Sequence, residues 1–200
     1  QNIKIIVPEP TWLDAVAQYL KNLSQMGSFI LIIVYMGIVA KEKENGIMVF
    51  LFVKPLSRSA YVLSKFAVAT TSAFISMSAA FVFSTFYTAL FFEGFNFFAY
   101  TSLNLLMLLN IVTIMFIVIM FSSLFKSQIV AGVLSFATYL IISLASQIGS
   151  VGEFLPSGLM TEANKAIAGI PINYSSVFAS VLICIICIFI SVRSIKKWEA

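Results

Sequence analysis

The sequence predicts an all-α polytopic membrane protein with five visible spans, a cytoplasmic hairpin and short external helices. Three observations carry that reading. The 200 residues are 60% hydrophobic and 10% charged, whereas a soluble domain is roughly a quarter charged, so too little polar surface is left to cover a water-soluble globule. Apolar stretches of helical length recur, in place of the alternating segments of about ten residues that a membrane barrel needs. Basic residues cluster in some connecting loops and avoid others. The net charge of +4 therefore belongs to loops and reports topology, not nucleic-acid binding.

A bilayer core takes about 20 apolar residues at about 1.5 Å rise each. Five segments reach that length, near 23–40, 65–92, 97–125, 128–149 and 174–192. The second and third exceed it, so they tilt or project. The loop 41–65 holds Lys41, Lys43, Lys54, Arg58 and Lys65, and the loop 93–97 has Glu93 and no base. Lys126 marks the next turn, the loop 150–173 sets Glu153 and Glu162 against Lys165, and the tail carries Arg193, Lys196 and Lys197. Basic and base-poor loops alternate throughout, and the basic side is cytoplasmic. That places the carboxyl end inside and residues 1–22 outside. An amino end outside, at Gln1 with no visible signal segment, gives the expectation of one further span ahead of it, six in all.

Residues 1–22 read as an external loop and helix. Pro8 and Pro10 end an extended stretch and Thr11 caps a helix. Trp12, Val16, Leu20 and Leu23 follow at near-helical spacing. That stripe fits an amphipathic helix lying on the outer membrane surface or one packed on protein. The external loop 150–173 holds another short helix near 161–168, between breaks at Pro156, Gly158, Gly169 and Pro171.

Missing groups exclude several functions. No GxxxxGK[ST] is present, so this chain does not itself cradle ATP. No ionisable side chain lies deep in a span, although ion-driven carriers need such relays. Histidine is absent, and Cys184 and Cys187 share one face of the last span as packing residues. No paired carboxylates or nucleophile–base set suggests an enzyme, and no cofactor is expected in the chain. An active transporter built this way takes its energy from another subunit.

The spans carry neutral polar residues instead. Ser72, Ser76, Ala80, Ser84 and Thr88 recur every fourth residue on one span, and Ser135, Tyr139, Ser143 and Gln147 do so on another. Asn110 and Thr113 fall mid-span on a third. Small residues at that spacing bring helix backbones together, and an Asn in hydrocarbon is costly without a partner. Ser76, Asn110, Thr113, Tyr139, Ser143 and Gln147 are thus candidates either for helix packing or for the wall of a transport path.

The most informative stretch is AKEKENGIMVFLFVKPLSRSAYVLSKF, residues 40–66. Gly46 breaks the chain after the charged run. The segment IMVFLFV, about 10 Å long if helical, is too short to cross a bilayer, and Pro55 stops it. Ser57 or Ser59 caps the next helix, which runs through Tyr61 and Lys65 into a span. Residues 41–64 therefore form a helical hairpin at the cytoplasmic surface, whose bland role is a positive-inside anchor.

The order of residues in that hairpin resembles the signature region of the ABC-type permeases of the type-2 exporter family. Its members read as a span, A-x-E-(R/K)-E-x-G-T, a short apolar helix, P-(V/I/L)-S-R, an aromatic, and a Lys before the next span. The matching positions are Ala40, Glu42, Lys43, Glu44, Gly46, Pro55, Leu56, Ser57, Arg58, Tyr61 and Lys65, with Ile47 departing from the usual Thr. The resemblance extends to the span layout of residues 1–200, read as a single permease domain. It implies a permease subunit of an ATP-binding-cassette exporter in the cytoplasmic membrane of a prokaryote. Two permease chains, identical or different, would pair above ATPase subunits that hold ATP and magnesium. It also implies that the hairpin is the coupling helix, with Glu42, Lys43, Glu44, Gly46, Met48, Phe50, Pro55 and Arg58 at the ATPase contact. The competing expectations are a membrane scaffold or assembly factor recruiting a cytosolic partner, and a stand-alone channel.

Overall fold

The computed structural model describes residues 11–53, 57–146 and 148–198. Pro8, Pro10, Lys54, Pro55, Leu56 and Gln147 lie outside the described residues, and with them the expectations of an extended stretch before Thr11 and a stop at Pro55. Among the described residues every regular element is helical.

Helix α1 (Trp12–Asn22) starts at the expected cap. The Thr11 hydroxyl oxygen accepts from the Asp14 N–H at 3.4 Å, and the Asp14 carboxylate accepts from the Thr11 N–H at 2.8 Å, a reciprocal capping box. The helix passes through a π-helical turn, Leu23–Gly27, into α2 (Ser28–Tyr35), and the rod continues to Glu44. Its apolar stripe packs on protein along Val16 and Leu20. Val16 and Leu20 are each 1% exposed, and Trp12 meets Phe95 edge-on at 6.0 Å.

Helix α3 (Ala40–Glu44) and helix α4 (Ile47–Val53) flank Gly46. Its φ of +69° lies in the left-handed region that only glycine enters freely, so the corner expected there forms. Ser57 caps α5 (Arg58–Phe91) by accepting from the Ala60 N–H at 3.1 Å. At 34 residues, α5 is about 51 Å long and exceeds a hydrocarbon core of about 30 Å.

Helix α6 (Phe97–Leu124) follows, then α7 (Gln128–Ala145), a 3₁₀ turn (Gly149–Phe154), α8 (Gly158–Ile167) and α9 (Ser175–Lys196). Helix α7 ends at Ala145, short of the expected boundary near 149. The chain folds back there so closely that a Cβ on Gly152 would lie 2.3 Å from the Ser146 carbonyl oxygen.

Five helices are long and apolar enough to cross a membrane: the α1–α2 rod, α5, α6, α7 and α9. Helix α6 is the central post, touching α2, α5, α7, α8 and α9. The other spans turn large apolar side chains outward, such as Phe83 and Phe86 of α5 and Phe178 and Phe189 of α9. Lipid solvates such surface as well as protein does, so close fit and hydrogen bonds must hold the helices together. Two of the small-residue contacts fit that demand. The Ser72 and Tyr35 hydroxyls are 2.5 Å apart, and Tyr100 donates to Ser84 at 2.6 Å.

Candidate functional site: a tied hairpin and a polar cavity

The α3–α4 hairpin is tied to α5 and α6 and packs against the end of α9. Near the carboxyl end of α6, the Ser122 hydroxyl oxygen accepts from the Val39 and Ala40 N–H groups at 3.0 and 2.9 Å. Those donors belong to the first turn of α3 and have no partner within their own helix. The buried Lys43 donates to the Ser123 carbonyl, which also accepts from the Ser194 hydroxyl of α9 at 2.8 Å. An ammonium at a helix carboxyl end is where the helix dipole favours it.

The Glu42 carboxylate accepts from Lys65 Nζ at 2.5 Å and from the Tyr61 hydroxyl, both on α5. Arg58 Nη1 donates to the Lys196 and Trp198 carbonyls at 2.8 and 2.9 Å. Its guanidinium lies 5.4 Å from the centre of the Phe52 ring, and that ring meets Trp198 at 6.3 Å. Arg58 therefore joins α4, α5 and the end of α9 at one point, with the planar fork that only arginine supplies.

Of the residues singled out in the sequence, Glu42, Lys43, Met48 and Arg58 thus turn toward the chain itself, and Gly46 makes the corner. Pro55 lies outside the described residues. Glu44 and Phe50 face outward. Phe50 is 76% exposed and Val53 81%, and Ile47 is exposed beside them. Spaced three residues apart, these three form an apolar stripe with Glu44 at its head.

At the opposite end of the bundle, two of the polar stripes converge. Asn110 and Thr113 of α6 and Ser135, Tyr139 and Ser143 of α7 line one cavity of about 130 Å³. Ser24 and Gln25 enter from the π-helical turn, and Ser157 and Met160 close it from the start of α8. A π turn widens the helix and leaves the backbone a carbonyl to satisfy. Here the Tyr139 hydroxyl donates to the Ser24 carbonyl at 2.8 Å. The Asn110 side chain is 7% exposed and has no hydrogen-bond partner among the described residues. Among the described residues no charged side chain lines the cavity.

Ser76 lies elsewhere, on an apolar groove between α2 and α5 with Gly27, Ala73 and Met77. Gln147 lies outside the described residues. The cavity's roof is fixed by Ser157, whose hydroxyl donates to the Ile142 carbonyl at 3.0 Å. It is fixed again by Glu162, 1% exposed, which accepts from Lys165 Nζ at 2.8 Å and from the Asn173 N–H at 2.7 Å. That carboxylate raises the pKa of the Lys165 ammonium above its ordinary value. Among the described residues no three Cys, Asp or Glu gather as metal ligands.

The family model "Protein of unknown function (DUF2705)" matches residues 5–200. The chain belongs to the DUF2705 family. No curated protein and no solved structure matches it.

Sequence reasoning missed several residues of this DUF2705 chain. Ser122, Ser123, Ser194 and Trp198 hold the hairpin, and Ser24, Gln25 and Ser157 complete the cavity. Serines in apolar spans give no signal of their partner, and a π turn leaves no periodicity by which to find it.

Proposed function

We propose that this DUF2705 chain is the permease subunit of an ATP-binding-cassette exporter, driven by a separate ATPase through the α3–α4 hairpin. The observation that carries the reading is the two-sidedness of that hairpin. Its inner residues are bonded to α5 and α6, and Phe52 packs on Trp198 just past the end of α9, so a push on the hairpin is delivered to the spans it is built on. Its outer side presents the Ile47–Phe50–Val53 stripe headed by Glu44, an apolar patch with an acidic rim of the kind protein partners cover. A pure topology anchor needs neither feature. Anionic lipid would repel Glu44 by roughly 1 kcal/mol near the surface, so a basic protein groove accounts for the acid better. The order of residues from Ala40 to Lys65, which resembles that of the type-2 exporter permeases apart from Ile47, supports the same reading.

The test is reconstitution with the ATPase that co-purifies with the chain. Phe50→Asp and Glu44→Lys leave insertion intact but lower ATPase association and coupled hydrolysis, whereas Lys197→Ala changes little. Full coupled turnover in both hairpin variants would return the loop to the role of anchor. A partner that co-purifies without nucleotide hydrolysis would favour a scaffold.

A further inference from the structure

We propose that the cavity between α2, α6, α7 and α8 is a binding site for a small uncharged molecule carrying a carboxamide, or an equivalent paired donor and acceptor, on an apolar body. The site lies within one chain, so the inference stands apart from the transport reading and needs no ATPase to test.

Three features of the lining fix the ligand's chemistry. First, Asn110 is 7% exposed, and its side chain lines the cavity with no hydrogen bond among the described residues. Its amide opens onto the cavity, and against purely apolar contents it would be left unpaired at a cost of a few kcal/mol. The group that satisfies both its N–H and its carbonyl is a second amide, whichever way the Asn side chain is turned.

Second, three of the lining hydroxyls have used their protons. Tyr139 donates to the Ser24 carbonyl at 2.8 Å, Thr113 to the Leu109 carbonyl at 2.8 Å, and Ser135 to the Ala131 carbonyl at 2.6 Å. They are left as acceptors, which suits a primary amide with its second N–H. Third, no charged residue among the described residues lines the site, so an ion entering it would lose its hydration without compensation.

Ile114, Ile117, Ile142 and Met160 supply apolar walls. A void of about 130 Å³ is close to the roughly 150 Å³ that admits benzene in an engineered protein core. Gln25 is the exposed member of the lining and marks the mouth, where a longer ligand would protrude.

Benzamide, benzoate and benzamidinium share a ring and shape and differ in head-group charge, so they probe the site directly. The reporter is Ser143→Cys with Cys184→Ala and Cys187→Ala, in the full chain in lipid nanodiscs, with its rate of modification by methyl methanethiosulfonate followed by mass. Benzamide at twice its dissociation constant slows that reaction about threefold, by the factor 1 + [L]/Kd. Benzoate and benzamidinium at the same concentration leave it unchanged, and adding Asn110→Leu abolishes the benzamide effect while the introduced thiol still reacts. Equal protection by all three probes, protection by a charged probe alone, or no protection overturns the proposal. So does benzamide protection that survives Asn110→Leu. If that variant fails to insert, the three-probe comparison on the Asn110 protein decides alone.

Discussion

Gly46 concentrates the hairpin's geometry in one residue. Its φ is +69°, and a Cβ placed there meets nothing within 4 Å. Backbone strain is therefore the whole cost of a side chain, about 1–2 kcal/mol for an L-residue in the left-handed region. Gly46→Val is expected to lower hairpin stability by that amount, and Gly46→Asn by clearly less, because Asn tolerates this conformation. Amide exchange of residues 47–53 in detergent, read by mass spectrometry, checks the order. Equal exchange in Gly46, Asn and Val proteins would show that the corner is not strained. The glycine itself was legible in the sequence as a break after a charged run. The inward turn of Glu42 and Lys43 was not, since their partners Lys65 and Ser123 are fixed only when α3 meets α5 and α6.

Among the elements, the π turn at Leu23–Gly27 couples the first span to α7. The Tyr139 hydroxyl supplies its Ser24 carbonyl with a donor. Interhelical hydrogen bonds inside membranes contribute about 0.6 kcal/mol on average and no more than roughly 1.7. Tyr139→Phe should destabilise the folded chain within that range, measured by unfolding from mixed micelles. It should also increase deuterium uptake at residues 23–28 more than at residues 12–20. Uniform uptake along the rod would mean that the turn is held by its own helix. Helical periodicity revealed the Ser135–Tyr139–Ser143 face, and composition revealed Asn110. What periodicity does not carry is the extra residue per turn that rotates Ser24 and Gln25 toward that face.

For the whole molecule, the distribution of charge decides orientation. Lys41, Lys43, Arg58, Lys65, Lys126 and Arg193 gather with Glu42 and Glu44 at the hairpin end, while Glu93, Glu153 and Glu162 lie with Lys165 at the end that carries α8. The positive-inside rule leads us to propose that the hairpin end faces the cytoplasm. Asn45→Cys and Glu93→Cys, each at an exposed position in a Cys184→Ala, Cys187→Ala background, should react with an impermeant thiol reagent from opposite faces of sealed vesicles. Reaction from one face would refute the five-span arrangement. The spans were legible because length and apolar content alone select them. The end of α7 was not, because the fold-back at Gly152 is made by close backbone contact and leaves the run of apolar letters unchanged.

The clasp at Arg58 also has a consequence in time. The guanidinium and the Ile195 carbonyl it approaches at 3.5 Å are 137 residues apart in the chain. At a synthesis rate of about 5–20 residues per second, the hairpin waits roughly 7–27 s for the far end of α9 to be made. During that interval Phe52 lacks its Trp198 neighbour and Arg58 its carbonyls, so the nascent hairpin is loosely held. The hairpin therefore takes its fastened shape only once the chain has been made through Trp198.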